Sequence, residues 1–264
     1  MAQPTASSSA SERRQSVRTG VVWEGVRRLL GSGDPLDGRQ ARIVDIGGGT
    51  GGFAVPLAEL GHTVQVIDPS PDALAALDRR AREAGVADRV TGQQGDLSDL
   101  PDLADEADLV LCHGVLEMVD DPAASLASIA GVLRPDGHLS LLVAQRHAAV
   151  VARAMAGHFQ AARELLDPAP HPSAGPGSPG EASSGQVGRG GRRFTHDEVV
   201  ELLAGAGLHP ESVHAVRVFA DLVPGSLLDL EPGATAALVE LEKAVATRPE
   251  YLPLATQLHV IARR

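Results

Sequence analysis

Short apolar runs alternate with longer stretches of helical spacing in the first half of the chain. Each apolar run is five or six residues long and is bounded by turn-forming or charged residues, which is typical of buried strands. These runs are Ala41–Ile46, His62–Ile67, Arg89–Gln93, Asp108–Cys112 and His138–Val143. Helices are predicted at Arg13–Leu30, Phe53–Leu60, Pro71–Ala84 and Pro122–Leu133. Such an alternation predicts an α/β fold with a parallel sheet and right-handed crossovers.

The rhythm changes after the fifth strand. Residues 147–166 show helical spacing, and the Pro-, Gly- and Ser-rich residues 167–191 predict a mobile loop. Thr195 and Glu198 form a capping-box pattern that begins the next helix. The remaining predicted elements are strands at Ser212–Val218 and Leu258–Ala262 and a helix at Ala234–Val245. The pattern therefore predicts a Rossmann-like sheet of seven strands, mostly parallel with the last antiparallel, and a helical lid insertion over 147–193.

Composition restricts the class of protein. The 264 residues are 43% hydrophobic, enough for one large core, so a single domain over 13–264 is expected after a disordered tail at 1–12. The net charge of -11 disfavours nonspecific attraction to polyanions. A single cysteine, Cys112, excludes an intrachain disulfide and a multi-cysteine zinc site, and no metal site is expected. The polar N-terminus and the absence of a long apolar run indicate a cytoplasmic protein with no membrane partner.

Five glycines lie within six positions directly after the first predicted strand. Gly47, Gly49 and Gly52 match the dinucleotide-binding fingerprint, and Asp68 follows about twenty residues later. Asp45, two residues before the first glycine, would repel a pyrophosphate. It suits a ligand with an ammonium and a sulfonium, which indicates S-adenosyl-L-methionine. The alternative for either acid is a capping or turn residue.

Further candidates lie at the ends of the second, third and fourth predicted strands. Asp68, at the end of the second strand, can accept from both ribose hydroxyls. Asp96, followed by Leu97 and Ser98, can accept from an adenine amino group, although Asp99 competes for this role. His113 lies where the methyl donor's tail is expected, or is a packed histidine at a strand end. Cys112 is interpreted as a small buried hydrophobe.

These residues resemble the class I S-adenosylmethionine-dependent methyltransferases. The runs HGVLEMVDDPAASLASIAGVLRPDGHLSLLVAQRH, MAGHF, VRVFADL and LHVIAR are similar to the bacterial tRNA 5-carboxymethoxyuridine methyltransferase family. The resemblance covers residues 13–264 apart from 167–191. It implies that the donor is bound by residues in five places along the chain: Arg18, Gly47 and Gly48 with Gly49 beside them, Asp68, Leu97 and Ser98, and His113.

The resemblance implies methyl esterification of a carboxylate on the wobble uridine of tRNA. An ionised carboxylate needs a cationic clamp rather than a base, and Arg146, His147 and Arg217 are the candidates, unless they are solvated surface residues. An amine or phenol would need a base, for which His113 or His147 is the candidate. The insertion carries only Arg189, Arg192 and Arg193 where the family has consecutive lysines, which weakens the expected attraction for tRNA phosphates.

Three other functions fit the same residues. A methyltransferase could act on a small-molecule acceptor with the same core and an altered lid. The glycine fingerprint alone also fits an NAD(P)-dependent oxidoreductase, and a donor-binding domain could be noncatalytic. The pattern indicates no oligomeric state.

Overall fold

The computed structural model of the protein describes residues 10–31, 40–166, 191–228 and 233–264, without the side chains of residues 10–18 and 225–226. The strands are β1 (Arg42–Ile46), β2 (Thr63–Asp68), β3 (Val90–Gln94), β4 (Ala107–His113), β5 (Leu133–Ala144), β6 (His209–Val216) and β7 (Gln257–Arg263). The helices are α1 (Ala10–Leu30), α2 (Ala54–Glu59), α3 (Pro71–Glu83), α4 (Leu100–Leu103), α5 (Pro122–Val132), α6 (Arg146–Met155), α7 (Phe159–Glu164), α8 (His196–Gly205), α9 (Gly225–Leu228) and α10 (Ala234–Val245). Two 3₁₀ turns lie at Leu116–Met118 and Pro249–Leu254.

The seven strands form one sheet in the order β3-β2-β1-β4-β5-β7-β6. Strands β1 to β5 are parallel, and β7 pairs antiparallel with both β5 and β6. This arrangement confirms the predicted fold class, including the antiparallel last strand. Because β5 and β6 both oppose β7, they point the same way. The carboxyl ends of β1, β2, β4, β5 and β6 therefore lie along one edge of the sheet, here called the carboxyl edge.

Side chains alternate between the two faces of the sheet and build one core on each. Val44 and Ile46 of β1 pack on the face covered by α5 and α8. Ile43 of the same strand packs on the opposite face, with Leu57 of α2 and Leu77 of α3. Both faces of the central strands are covered, which is why their sequences read as continuous apolar runs rather than as alternating ones.

Local signals placed several helix boundaries correctly. The capping box before α8 forms as predicted: the Thr195 hydroxyl accepts from the Glu198 amide, and the Glu198 carboxylate accepts from the Thr195 amide at 2.8 Å. Ser70 similarly caps α3. No helix within the described part of the chain is long and apolar enough to cross a membrane.

The prediction of one helix over 147–166 is wrong. Helix α6 ends at Met155 and α7 begins at Phe159, because Gly157 adopts a left-handed conformation with φ +79°. The predicted tail also differs, since α1 begins at Ala10. The predicted mobile loop falls outside the described residues except for Gly191.

A buried carboxylate fixes the segment that follows β6. Glu242 of α10 is 1% exposed, and its two oxygens accept from the backbone amides of Val218, Phe219 and Ala220 at 2.7–3.0 Å. The segment begins with Arg217, whose φ of +61° is strained for a residue with a side chain. Glu242 therefore stabilises a backbone conformation at the carboxyl edge that the local sequence does not favour.

Replacement of Glu242 by alanine should lower the free energy of unfolding by about 2–4 kcal/mol, because three backbone N–H groups lose their acceptor in a buried place. Urea denaturation measures this change. Glu240→Ala on the same helix is the matched control, since Glu240 is exposed and makes only a surface ion pair with Lys243. Equal losses in the two variants would contradict the role given to Glu242.

Candidate functional site

A glycine loop joins β1 to α2 at the carboxyl edge. Gly47 has φ +67°, and its amide donates to the Ile67 carbonyl of β2 at 2.7 Å. A Cβ on Gly47 would lie 2.5 Å from Cγ2 of Val115, in the segment that follows β4. The loop is thus held between the ends of β2 and β4, the two strands that flank β1. Only glycine fits at its first position.

The carboxyl group of Asp45 lies directly beneath this loop. A Cβ on Gly48 would stand 2.5 Å from Oδ2 of Asp45. Asp45 is 3% exposed, and its Oδ2 has no hydrogen-bond partner among the described residues. Burial, with a smaller contribution from the charge of Asp68, raises the pKa of Asp45 to about 7. The site therefore contains a buried acceptor that protein atoms leave unsatisfied.

Asp68, the last residue of β2, ties the loop to the next helix. Its Oδ2 accepts from the Gly49 amide, and its Oδ1 accepts from the Ser70 amide, both at 2.9 Å. Each carboxylate oxygen has a second lone pair, so both can accept a further hydrogen bond. Asp45 and Asp68 thus lie together at the loop, as their spacing predicted.

The acids after β3 are arranged differently. The Asp96 carboxylate accepts from both the amide and the hydroxyl of Ser98, and these bonds lower the pKa of Asp96. Asp99 accepts from the Asp96 amide at 3.1 Å. Leu97 is buried in the core, while Asp96, Ser98 and Asp99 are exposed. Asp96 therefore organises its own turn, and Leu97 is the apolar wall beside it.

His113, at the end of β4, belongs to a buried chain of polar side chains. Its Nε2 lies 2.9 Å from Oγ of Ser140, and the same Oγ lies 2.8 Å from Nε2 of His259. His259 stacks on His214 with ring centroids 5.5 Å apart. The single serine proton can be donated to only one histidine, so the other must donate to Ser140, and the tautomers of His113 and His259 are coupled.

Burial keeps all three of these histidines neutral. It lowers the pKa of His113 to about 4, and it also lowers the pKa values of His214 and His259. The ring of His113 also makes a T-shaped contact with Phe53, at 4.8 Å between centroids, and Phe53 stacks on Trp23 of α1 with centroids 4.5 Å apart. A neutral, apolar wall therefore borders the glycine loop. The cluster was not visible in the sequence because its members come from four strands that are far apart along the chain.

The predicted acceptor clamp is already engaged within the chain. Arg146 binds both oxygens of Glu198 at 2.8 and 2.9 Å and the Arg193 carbonyl at 3.0 Å. Arg217 pairs with Asp221 at 2.6 Å. These two guanidinium groups brace α8 and the segment after β6.

Two other predicted residues are placed less specifically. His147 is exposed, and its Nδ1 lies 3.2 Å from Nε2 of Gln145. Arg18 lies within α1, but its side chain is outside the described part of the structure. Cys112 is buried as expected, and burial raises its pKa to about 12.

Three charged side chains lie near the end of β5; two of them, Glu117 and Arg153, were not predicted from the sequence, and Arg193 was named only as a cation of the insertion. Glu117, in the 3₁₀ turn after β4, accepts from the Ala144 amide at 2.6 Å. Arg193 precedes α8, and Arg153 lies in the last turn of α6. No spacing in the sequence joins them, because the turn, the segment before α8 and α6 meet only through the fold.

The buried Asp45 carboxyl group should make stability depend on pH. Its folded pKa of about 7 lies above the ordinary value, so the folded state gains stability from the protonated form and loses it as pH rises toward 7. Asp45→Asn removes this loss. In the absence of donor, the variant should have a higher free energy of unfolding than the wild type, and this difference should be about 2–3 kcal/mol larger at pH 8 than at pH 5. Calorimetry measures both values. Asp72→Asn, at an exposed position in α3, should show no such difference; a gain independent of pH would contradict the assignment.

Comparison with known proteins supports the fold and the class of enzyme. Residues 44–141, from β1 through most of β5, match the methyltransferase domain family. The chain is 28% identical over 249 residues to the tRNA 5-carboxymethoxyuridine methyltransferase of Escherichia coli, covering 94% of this chain and 88% of that protein. It is 34% identical over 131 residues to a ubiquinone biosynthesis O-methyltransferase of Xanthomonas axonopodis, covering 49% of this chain and 54% of that protein.

Solved structures agree. Magnesium protoporphyrin IX methyltransferase from Synechocystis, determined with bound S-adenosylhomocysteine, superposes with a TM-score of 0.60 at 15% identity, over 99% of this chain and 90% of that one. This likeness is one of fold. The domain match and the two sequence relatives support the class of enzyme and its donor. The chain carries a methyltransferase domain and is an S-adenosylmethionine-dependent methyltransferase with the class I, Rossmann-like fold.

Proposed function

We propose that this methyltransferase esterifies a carboxylate, and that the carboxylate is carried by 5-carboxymethoxyuridine in tRNA. The observation that carries this proposal is the extent of similarity to the Escherichia coli tRNA enzyme, which covers 94% of the chain. The general methyltransferase domain ends at residue 141, whereas this similarity continues through the lid helices and the closing strands. A tRNA acceptor also places the reaction in the cytoplasm.

The residues at the glycine loop fit the donor. The unsatisfied oxygen of Asp45 is suited to an ammonium group, and a bound cation would return its pKa toward the ordinary range. The free lone pairs of Asp68 are suited to the ribose hydroxyls. We assign the close backbone approach to Gly47, Gly48 and Gly49. Asp45 disfavours a pyrophosphate at this loop, since its carboxylate would repel one.

Other donor contacts are assigned with less structural detail. Leu97 and Ser98 would border the adenine, with Asp96 holding their turn, and His113 would contact the donor through the face that Phe53 does not cover. Arg18 keeps the role that the family resemblance implies, contact with the methionine carboxylate.

The site suits an acceptor that is already ionised. When bound, S-adenosylmethionine supplies a methyl group on a sulfonium, and its transfer to a carboxylate requires no removal of a proton. His113 is neutral with a pKa of about 4, so it is a weak base for a phenol, whose proton leaves only near pH 10. The chain's own task is to orient the carboxylate and exclude water.

A small phenolic acceptor is the second candidate. The similarity to the Xanthomonas ubiquinone biosynthesis enzyme, though limited to about half of each chain, favours it. Met155 of α6 and Phe159 of α7 are 74% and 72% exposed, and these apolar side chains would suit an apolar molecule. This reaction would need a base, and His147 is the exposed histidine best placed at the start of α6.

A labelling experiment separates these acceptors. The enzyme with methyl-labelled donor is offered tRNA that carries the free carboxymethoxy acid. We expect label that nuclease digestion renders soluble and that mild alkali releases as methanol, because a methyl ester is labile where a methyl ether is not. Label confined to nuclease-resistant small molecules, or stable to alkali, would exclude the esterification of tRNA. Heat-denatured enzyme is the control.

Donor binding tests the role of Asp68. Asp68→Ala should weaken the affinity for S-adenosylmethionine tenfold or more, because a buried charged acceptor is lost, while Asp72→Ala in the neighbouring helix should leave it unchanged. Isothermal calorimetry measures both, and NADH should give no heat with the wild-type protein. Unchanged affinity in the Asp68 variant would refute its assignment.

A further inference from the structure

Arg193 is held at the carboxyl edge by its neighbours in sequence. The Arg192 amide donates to the Glu117 carbonyl, and the Phe194 amide donates to the Ala144 carbonyl, both at 2.9 Å. Arg193 therefore lies between two fixed points, one on the 3₁₀ turn after β4 and the other on the last residue of β5. Its position is set by backbone hydrogen bonds rather than by its own side chain.

This segment is pressed against the turn that borders the glycine loop. A Cβ on Gly191 would lie 2.9 Å from the Glu117 carbonyl oxygen and 3.2 Å from Sδ of Met118. Val115, two residues before Glu117, packs so closely on the loop that Gly47 has no room for a side chain. One short turn thus separates the donor loop from the residues around Arg193.

The charges in this place are not balanced within the described structure. Nε of Arg193 and Oε2 of Glu117 are both buried and lack hydrogen-bond partners in the described ranges. Burial and the nearby Arg153 lower the pKa of Arg193, whereas Glu117 raises it. Burial raises the pKa of Glu117, whereas the charge of Arg193 lowers it. Two guanidinium groups therefore lie near one carboxyl group in the described structure.

Arg153 and Arg193 differ in this respect from the arginines predicted from sequence. Arg146 and Arg217 each have a carboxylate partner within 2.8 Å. The Arg153 guanidinium donates a long hydrogen bond of 3.5 Å to the Ala149 carbonyl of its own helix. A buried donor without an acceptor is costly, and a ligand that brings an anionic oxygen removes that cost.

We propose that Arg153 and Arg193 bind the carboxylate of the methyl acceptor. This rests on the proposed function, which makes that acceptor a carboxylate. Arg193 supplies the buried N–H, and Arg153 the second charge, from α6. They take the role that the sequence suggested for Arg146, His147 and Arg217.

A carboxylate suits this pair because it has two oxygens. A charge-assisted hydrogen bond to one oxygen orients the group and leaves the other oxygen free to accept the methyl group. The ester product has no charge, so it loses the ion pair, and the pair distinguishes substrate from product.

The test compares two forms of one tRNA, bearing either the free carboxymethoxy acid or its methyl ester. Binding to protein saturated with S-adenosylhomocysteine is measured by filter retention. Phosphate contacts are the same in both tRNAs, so the ratio of the two dissociation constants isolates the carboxylate. We expect the wild type to prefer the acid tenfold or more. Arg153→Gln and Arg193→Gln should each reduce that preference at least threefold, with unchanged affinity for S-adenosylhomocysteine.

Arg163→Gln, at an exposed position in α7, is the matched control and should keep the wild-type ratio. The conservative variant Arg193→Lys should restore part of the preference. If the wild type prefers the acid and both glutamine variants keep that preference, the arginine pair is wrong and the carboxylate acceptor stands. If the wild type neither methylates nor discriminates the acid, the proposed function falls, and the pair falls with it.

Discussion

The Asp45 carboxyl group occupies the space that a Cβ on Gly48 would need, and the site depends on this exclusion. A larger residue at Gly48 would displace the carboxyl group, because its Cβ would lie 2.5 Å from Oδ2 of Asp45. A larger residue at Gly47 would meet Val115 at the same distance. The loop and the acid therefore form one unit. The unit leaves a buried oxygen unsatisfied, which is unfavourable for the empty protein and favourable for a cationic ligand. The unsatisfied oxygen lowers the stability of the empty protein, and a bound cationic ligand would restore that stability.

The neutral histidine cluster has a related effect on the chemistry. Ser140 joins His113 to His259, and burial holds both rings uncharged. In the proposed placement of the donor, a protonated ring at His113 would add a positive charge beside the sulfonium and oppose its binding. A weakly basic ring is of little use for removing a proton from a phenol. Both properties follow from the same burial, and together they favour an acceptor that arrives ionised.

The fold and the placement of Asp45, the glycine loop and Asp68 were largely predictable from sequence, because their determinants are local. Strand and helix periodicity predicted all seven strands, and the spacing of Asp45, the glycines and Asp68 brought the acids to one place. The helix over 147–166 was wrong because one left-handed glycine, Gly157, interrupts an otherwise continuous apolar spacing. A conformational requirement at a single residue is not visible in a periodic pattern.

The acceptor side was not predictable, because it depends on which charges find partners. Arg146 looked free in the sequence, but the capping box that the sequence also predicted brings Glu198 to it. Because Glu198 pairs with Arg146, Arg193 has no carboxylate at bonding distance in the described structure. Arg153 is close enough to Arg193 to repel its charge. On an acidic protein of net charge -11, an unpaired cation in a partly buried place is an unusual local exception. The long-range field of the protein repels a polyanion, so the proposed binding of a tRNA would have to come from short-range contacts at the edge of the site, where screening is weakest.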